Sequence, residues 1–323
     1  MTSPRHQPPA RSTRQRGAAL LTAMIIVTLV VTLASAMVWQ QWRAVQVETA
    51  ERARAQAAWI LSGALDWARL ILKEDLRSGR PTALTEPWAT PLAEARLSTF
   101  LASDKSNADD APEAFLAGSI SDAQARYNLT GLVTQGKVDP LGLAAMERLC
   151  LAVGLESSVA QRIANGLRDA TARPGSAEAT AAAPLLPQSV AQLAWFGLED
   201  AAVKALEPYV VLLDVATPVN VNTAPREVLV AAIKGLDLAT AERLLQLRQR
   251  APFKDLDKLK EQLPGLDLTG APLDTKSSYF EVRGRIRLGE RVLVERSLVH
   301  RLQNGQVDVL RRERIASLEQ AGA

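Results

Sequence analysis

The sequence predicts an α+β protein. One long N-terminal helix crosses a membrane and continues as a spine, a small antiparallel sheet packs on that spine, and a large all-α domain is inserted between the strands. Three observations predict this. A charge-free run from Gly17 to Trp42 follows a leader holding Arg5, Arg11, Arg14 and Arg16. Helical spacing of apolar residues persists well past that run. The C-terminal segment alternates as strands do, while the middle carries two copies of a helix–glycine–helix pattern.

Ala18 to Trp39 is apolar or Thr/Ser throughout. About 20 such residues cross a bilayer's hydrocarbon core. The arginines resist translocation, so the N-terminus is expected in the cytoplasm and the chain beyond Arg43 on the far side. A cleavable secretory signal would have a shorter apolar region, although Ala34-Ser35-Ala36 resembles its small-residue site. A plain uncleaved anchor is another reading. The one preferred cuts between Gly17 and Ala18, because Arg14-Gln15-Arg16-Gly17-Ala18-Ala19-Leu20-Leu21 resembles the leader of type IV pilins and pseudopilins. In that family a prepilin peptidase cuts after the glycine and leaves the apolar helix in place. The resemblance departs at Thr22, where the family usually carries Glu, as one pseudopilin class does.

Gln40 to Leu76 has no Pro and only Gly63 as Gly. Val45, Ala50, Ala53, Ala57, Ile60, Leu61, Ala64, Trp67, Ala68 and Ile71 recur at three- and four-residue spacing, the mark of one buried helix face. Arg52, Arg54, Asp66, Arg69 and Lys73 fall on the other side. Ser78-Gly79-Arg80-Pro81 ends the pattern. A single helix of about 60 residues would run roughly 90 Å; two helices with a break near Gln40-Gln41 fit the pattern too. Thr82 to Pro112 reads as irregular, with a polar loop at 103–110.

The overall charge is +3. The leader holds four Arg and no acid, so its removal leaves 34 Lys+Arg against 35 Asp+Glu, a charge of −1. The mature chain is not a basic particle, which argues against nucleic acid as a partner. The lone Cys150 forms no internal disulfide and reads as a small buried apolar residue.

Gly154-Leu155-Glu156 to Ile163 aligns with Gly235-Leu236-Asp237 to Leu244. Each copy follows an amphipathic helix, Leu141–Val153 or Pro225–Lys234, with the glycine at a positive-φ turn. Asn128 before the first copy, and Asn222 or Thr223 before the second, are expected to cap. The pattern resembles the helix-hairpin-helix of DNA-binding and competence proteins, which makes a membrane-anchored DNA-uptake protein the alternative function. The second hairpin glycine is missing, and Glu156 and Asp237 would repel phosphate, so both copies read as packing modules.

Ser119-Ile120-Ser121-Asp122-Ala123-Gln124-Ala125-Arg126-Tyr127-Asn128-Leu129 and Val219-Asn220-Val221-Asn222-Thr223-Ala224-Pro225 resemble the two most recognisable stretches of the type II secretion minor pseudopilin K family. The resemblance runs from Arg14 to about Leu310. It implies a pilin-like fold and a non-catalytic subunit of the pseudopilus tip, anchored by a single pass in the bacterial inner membrane with its bulk periplasmic. It also implies prepilin peptidase and the minor pseudopilins I and J as partners. On this reading the chain divides into the leader 1–17, the transmembrane and spine helix 18–78, a first part of the body 79–130, the inserted α-domain 131–272 and the second part of the sheet 273–323. Val45 and Ala53, on the membrane-proximal part of the stripe, are the expected partner surface. The family also suggests calcium in the helical domain, with Asp169 and Glu178 as the matching ligands. Two carboxylates make a weak calcium site, and an Ala/Pro-rich loop is the competing reading.

Ala114–Ile120, Ser278–Leu288, Arg291–Leu302 and Gln306–Arg312 are expected to form the sheet, with Asn304-Gly305 as a hairpin turn. Arg283, Arg285 and Arg287 share one face and read as solvated; Val282 and Ile286 share the other. No catalytic constellation is present. His300 is the only His beyond the leader, and no His pair, Cys pair or phosphate loop accompanies it.

Overall fold

The structure, a computed structural model, describes residues 15–97, 114–172, 184–289 and 291–315. It divides into two units, 1–59 and 60–323. Helix α1 (Gln15–Arg77) runs through Gln40-Gln41 without a break.

Within the first unit the side chains from Leu20 to Trp42 are exposed all round. That suits a helix whose solvent is lipid. The threonine hydroxyls inside the run are satisfied by the helix itself. Thr22 Oγ1 donates to Ala18 O at 2.9 Å, and Thr28 and Thr32 donate to carbonyls three or four residues back. A polar group in a bilayer core needs such an internal partner.

In the second unit a five-stranded antiparallel sheet has the order β1-β2-β3-β4-β5: β1 (Leu92–Arg96), β2 (Ala114–Asp122), β3 (Tyr279–Leu288), β4 (Arg291–Arg301) and β5 (Val307–Ile315). Strand β1 lies in the stretch expected to be irregular. It is only five residues long, mostly exposed and without alternation, and its Glu94 side chain is tied to β3. Glu94 receives hydrogen bonds from Arg285 Nη1 at 2.6 Å and Arg287 Nη2 at 2.7 Å. Arg287 also stacks over Phe115, 4.0 Å from its ring centre. Two of the three arginines expected in solvent are therefore half-buried and paired; Arg283 alone is exposed. Val282 and Ile286 face inward as expected.

The spine buries Leu61, Leu65, Ala68 and Leu72 on this sheet, with Trp88, Phe280, Val282, Val299 and Val307 in the same layer. Trp67, expected on that face, is 53% exposed. At 100° per residue it stands well away from the direction shared by Leu61, Leu65 and Leu72. A Cβ on Gly284 would lie 2.8 Å from Leu61 Cδ2. Gly284, paired with Gly118 of β2, thus lets the spine approach the sheet closely.

Residues 123–278 lie between the neighbouring strands β2 and β3 and hold the remaining helices. These are α2 (Pro140–Ala152), α3 (Ser157–Thr171), α4 (Asp200–Leu206), α5 (Arg226–Ala232), α6 (Leu238–Arg250) and α7 (Leu256–Glu261). Leu129, Leu132, Met146, Leu149, Ile163, Leu193, Leu229 and Leu244 centre one large apolar core. A small seam of Ala123, Val211, Leu213, Tyr279 and Leu298 joins it to the sheet.

Candidate functional site

The two stretches that carried the resemblance meet at one carboxylate. Asp122 ends β2 and is 5% exposed. Its Oδ1 accepts from Gln124 N at 2.8 Å. Its Oδ2 accepts from Asn220 Nδ2 at 2.9 Å, Thr223 Oγ1 at 2.6 Å and Ser277 Oγ at 2.6 Å. Burial pushes this carboxyl above its ordinary range, and the four donors pull against it. Asn220 also donates to Thr82 O at 3.0 Å, so the link after the spine joins the same knot. These residues hold the inserted domain to the sheet.

That arrangement corrects the expected caps. Thr223 spends its hydroxyl on Asp122. Asn222 is bonded both ways to the Phe253 backbone, at 2.9 and 2.8 Å. Helix α5 has Pro225 at its N-cap position and no side-chain cap. Asn128 caps the short turn Leu129–Leu132, while α2 is capped by Asp139, which accepts from Gly142 N at 2.6 Å.

The hairpins turn at Gly154 (φ 79°) and Gly235 (φ 82°). Asp237 does more than repel phosphate. It caps α6, accepting from Thr240 N at 2.9 Å and Thr240 Oγ1 at 2.7 Å, and those bonds hold its carboxyl below the usual range. A donor that a phosphate would need is thereby taken. The hairpins are tied together by Arg148, whose guanidinium donates twice to Ala231 O at 3.0 and 2.6 Å. Arg248 donates to Val221 O and Ala224 O at 2.8 and 2.6 Å, and burial lowers it to about 10. Neither arginine's role is legible in the sequence, because carbonyl partners leave no mark in side-chain identity.

The processing pair Gly17 and Ala18 falls in the first turn of α1; the leader residues 1–14 lie outside the described residues. Val45 is 51% exposed and Ala53 half-buried. Further along α1, Trp59, Trp67 and Leu70 are 79, 53 and 60% exposed. In the second unit an apolar groove of about 720 Å³ opens between α1 and β2, lined by Ile60, Trp67, Ile71, Leu97, Leu116 and Ile120.

Of the two calcium candidates, Glu178 lies outside the described residues, as does the 103–110 loop. Asp169 sits at the end of α3, where Arg168 donates twice to its Oδ1 at 3.0 and 2.8 Å. Thr171 turns its hydroxyl to Leu167 O. Among the described residues no group of three or more His, Cys, Asp or Glu could hold a metal. The donors described there, Asp169 held by Arg168 and Thr171 turned to Leu167 O, fall short of the six to eight oxygens that calcium takes. His300 stacks flat on Tyr279 at 4.3 Å, and burial pushes the Cys150 thiol up to about 11. Both are packing groups.

Comparison with known proteins agrees with this architecture. Two profiles described as type II secretion system protein K match, over residues 125–215 and 219–283. Type II secretion system protein K of Pseudomonas aeruginosa is 29% identical, over 93% of this chain and 92% of that protein. Its counterpart in Pectobacterium carotovorum is 28% identical, over 93% and 96%. In the crystal structure of the GspK-GspI-GspJ complex from the enterotoxigenic Escherichia coli type 2 secretion system, one chain superposes with a TM-score of 0.65 at 22% identity. The match covers 83% of this chain and 99% of that one. The matched profiles take in the end of the first stretch that converges on Asp122 and the whole of the second, and the curated relatives align along almost the whole length: from its apolar helix to its last strands, this chain is similar to type II secretion system protein K.

Proposed function

We propose that the chain is a minor pseudopilin of a type II secretion system, acting by assembly at the tip of the periplasmic pseudopilus. The observation that carries this is α1. Its first stretch is a lipid-compatible surface, and its later stretch belongs to a folded body similar to protein K. Prepilin peptidase would cut between Gly17 and Ala18. The freed helix would then be drawn from the inner membrane, with its N-terminus on the cytoplasmic side. Minor pseudopilins I and J are the proposed partners, as GspI and GspJ are for the solved relative. The exposed Val45 and the half-buried Ala53 offer them an apolar helix face. Thr22 fits a terminal position. A Glu there would neutralise the amine of a subunit stacked above, and a tip subunit has none. No catalytic step is needed for this work.

Mass spectrometry of the membrane-extracted protein tests the reading. The expected N-terminus is Ala18, and Gly17→Ala should impair the cut. A mature N-terminus at Met37 would overturn the anchor. The assembly half is tested by Val45→Glu or Ala53→Glu, either of which buries an unpaired charge between helices. Co-purification with I and J should be lost while the body stays folded; an unchanged complex moves the interface elsewhere.

A further inference from the structure

Asp75 lies in the last turn of α1, and Glu86 lies in the link that leads to β1. Both side chains are buried, at 7% and 6% exposure. Asp75 Oδ2 accepts a charge-assisted hydrogen bond from Arg301 Nη1 at 2.5 Å. The same guanidinium reaches Leu72 O at 3.1 Å, Thr82 Oγ1 at 3.2 Å and Ser277 O at 2.9 Å, and lies over the Phe280 ring. Asp75 Oδ1, by contrast, is buried and meets no N–H or O–H donor. An orphaned buried acceptor is costly.

The group within hydrogen-bonding reach of Asp75 is the Glu86 carboxyl. Trp88 Nε1 donates to Glu86 Oε2 at 3.3 Å, and Arg80 Nε stands 3.2 Å from Oε1. Arg80 is 60% exposed, so water screens much of its charge. Arg301 and Arg80 are the cations that face the pair, from β4 and from the link; the buried one is already engaged with Asp75. Two ionised carboxylates held together in such a place repel, and one takes a proton.

We infer that Asp75 and Glu86 form a buried acid–carboxylate pair holding one proton, and that this proton fastens the end of the spine helix to the link and, through Arg301, to the sheet. The Glu86 acid O–H supplies the donor that Asp75 Oδ1 lacks. Burial, and then the neighbouring Asp75, push the Glu86 carboxyl from 4.5 up to about 7, with Trp88 and Arg80 pulling the other way. A carboxyl raised in the folded state contributes stability that is complete below its unfolded value. That contribution declines as pH rises and is gone once pH passes the folded value. The fastening is therefore closed in mild acid and released near and above about pH 7. A body outside the cytoplasm takes the pH of its surroundings, so the spine's grip on the sheet would follow external acidity.

The full-length chain in detergent tests this by infrared spectroscopy and by thermal unfolding across the same pH range. The native protein should show the carbonyl band of a protonated carboxylic acid in mild acid, fading through about pH 7. Its melting temperature should fall over that window with a one-proton slope and then level off. Glu86→Gln keeps a donor for Asp75 and should lose both the band and the slope. Asp75→Asn removes the neighbouring charge and supplies an amide donor to Glu86 while the burial remains, so the band should fade at a lower pH than in the native protein. If Glu86→Gln retains a band titrating near neutrality, the proton belongs elsewhere, Asp122 being another buried carboxyl. That outcome, a native protein without the band, or an unchanged slope in either variant overturns the inference.

Discussion

The helical insertion and the sheet layer bury their side chains on different terms. Around Met146, Leu149 and Ile163 the insertion closes over aliphatic residues from several helices, and its polar links run largely to backbone groups, from Arg148 and Arg248 and from Asn128 and Asn222. The spine–sheet layer has a smaller apolar core, built on Leu65, Leu72, Trp88 and Phe280. It leans on buried polar clamps: Arg301 with Asp75, and Asp122 with its four donors. A domain that stands on packing should lose stability smoothly as volume is removed. One that stands on paired charges should fail sharply when a single partner goes.

Arg301→Met is the strongest way to break that comparison. It keeps an apolar stem near Phe280 but leaves Asp75 without its cation. Removing one partner of a buried pair costs about 3–5 kcal/mol. Hydrogen exchange should rise in β3 and β4 well before it rises in α2 and α3; an even rise would show that the two layers unfold as one. Leu149→Ala addresses the other side. A fully buried leucine truncated to alanine costs about 2–5 kcal/mol, toward the middle of that range where the cavity partly collapses. Urea unfolding should register it, with protection lost first across α2 and α3.

Gly284→Val sharpens the picture at the spine. The added methyls meet Leu61, whose side-chain end can shift, so a cost of about 1–3 kcal/mol is expected. The readout is a lowered melting temperature, offset in part by Leu61→Ala; no offset would place the strain elsewhere. The smallest effect is expected from calcium. With Asp169 engaged by Arg168, calcium or a chelator should leave the melting temperature unchanged, and a clear rise with calcium would bring Glu178 back as a ligand.

The sequence made some of this legible because the signals were local. A charge-free run, a positive-φ glycine at 154 or 235, and Asn304-Gly305 each depend on neighbours in the chain. Trp67 was misplaced because its spacing fits a wide stripe, and only the sheet's position decides which edge of that stripe is covered. Thr223 had the identity and position of a cap, yet its hydroxyl is claimed by Asp122, 101 residues away. Strand β1 carries little strand character of its own and is held by Arg285 and Arg287, nearly two hundred residues downstream. Asp122 and Asn220 lay in the recognisable stretches and Ser277 well beyond them, and nothing in those stretches says that the three meet. Long-range polar partners have no periodicity to betray them.

The placement of residues 123–278 between neighbouring strands also sets an order of events. Strand β2 is synthesised early, yet its partner β3 is still to come, and the loop between them must be closed before they pair. Closing so long a loop as flexible chain is entropically unfavourable, and pairings distant in sequence form slowly. A folded insertion removes most of that burden by bringing its two ends together at Asp122 and Ser277. Helical hairpins of local contacts should therefore form first and template the sheet, leaving β2 an unpaired edge in the meantime. Refolding followed by pulsed hydrogen exchange would show α2 and α3 protected before β2 and β3; the reverse order would mean that the sheet assembles without help from the domain it encloses.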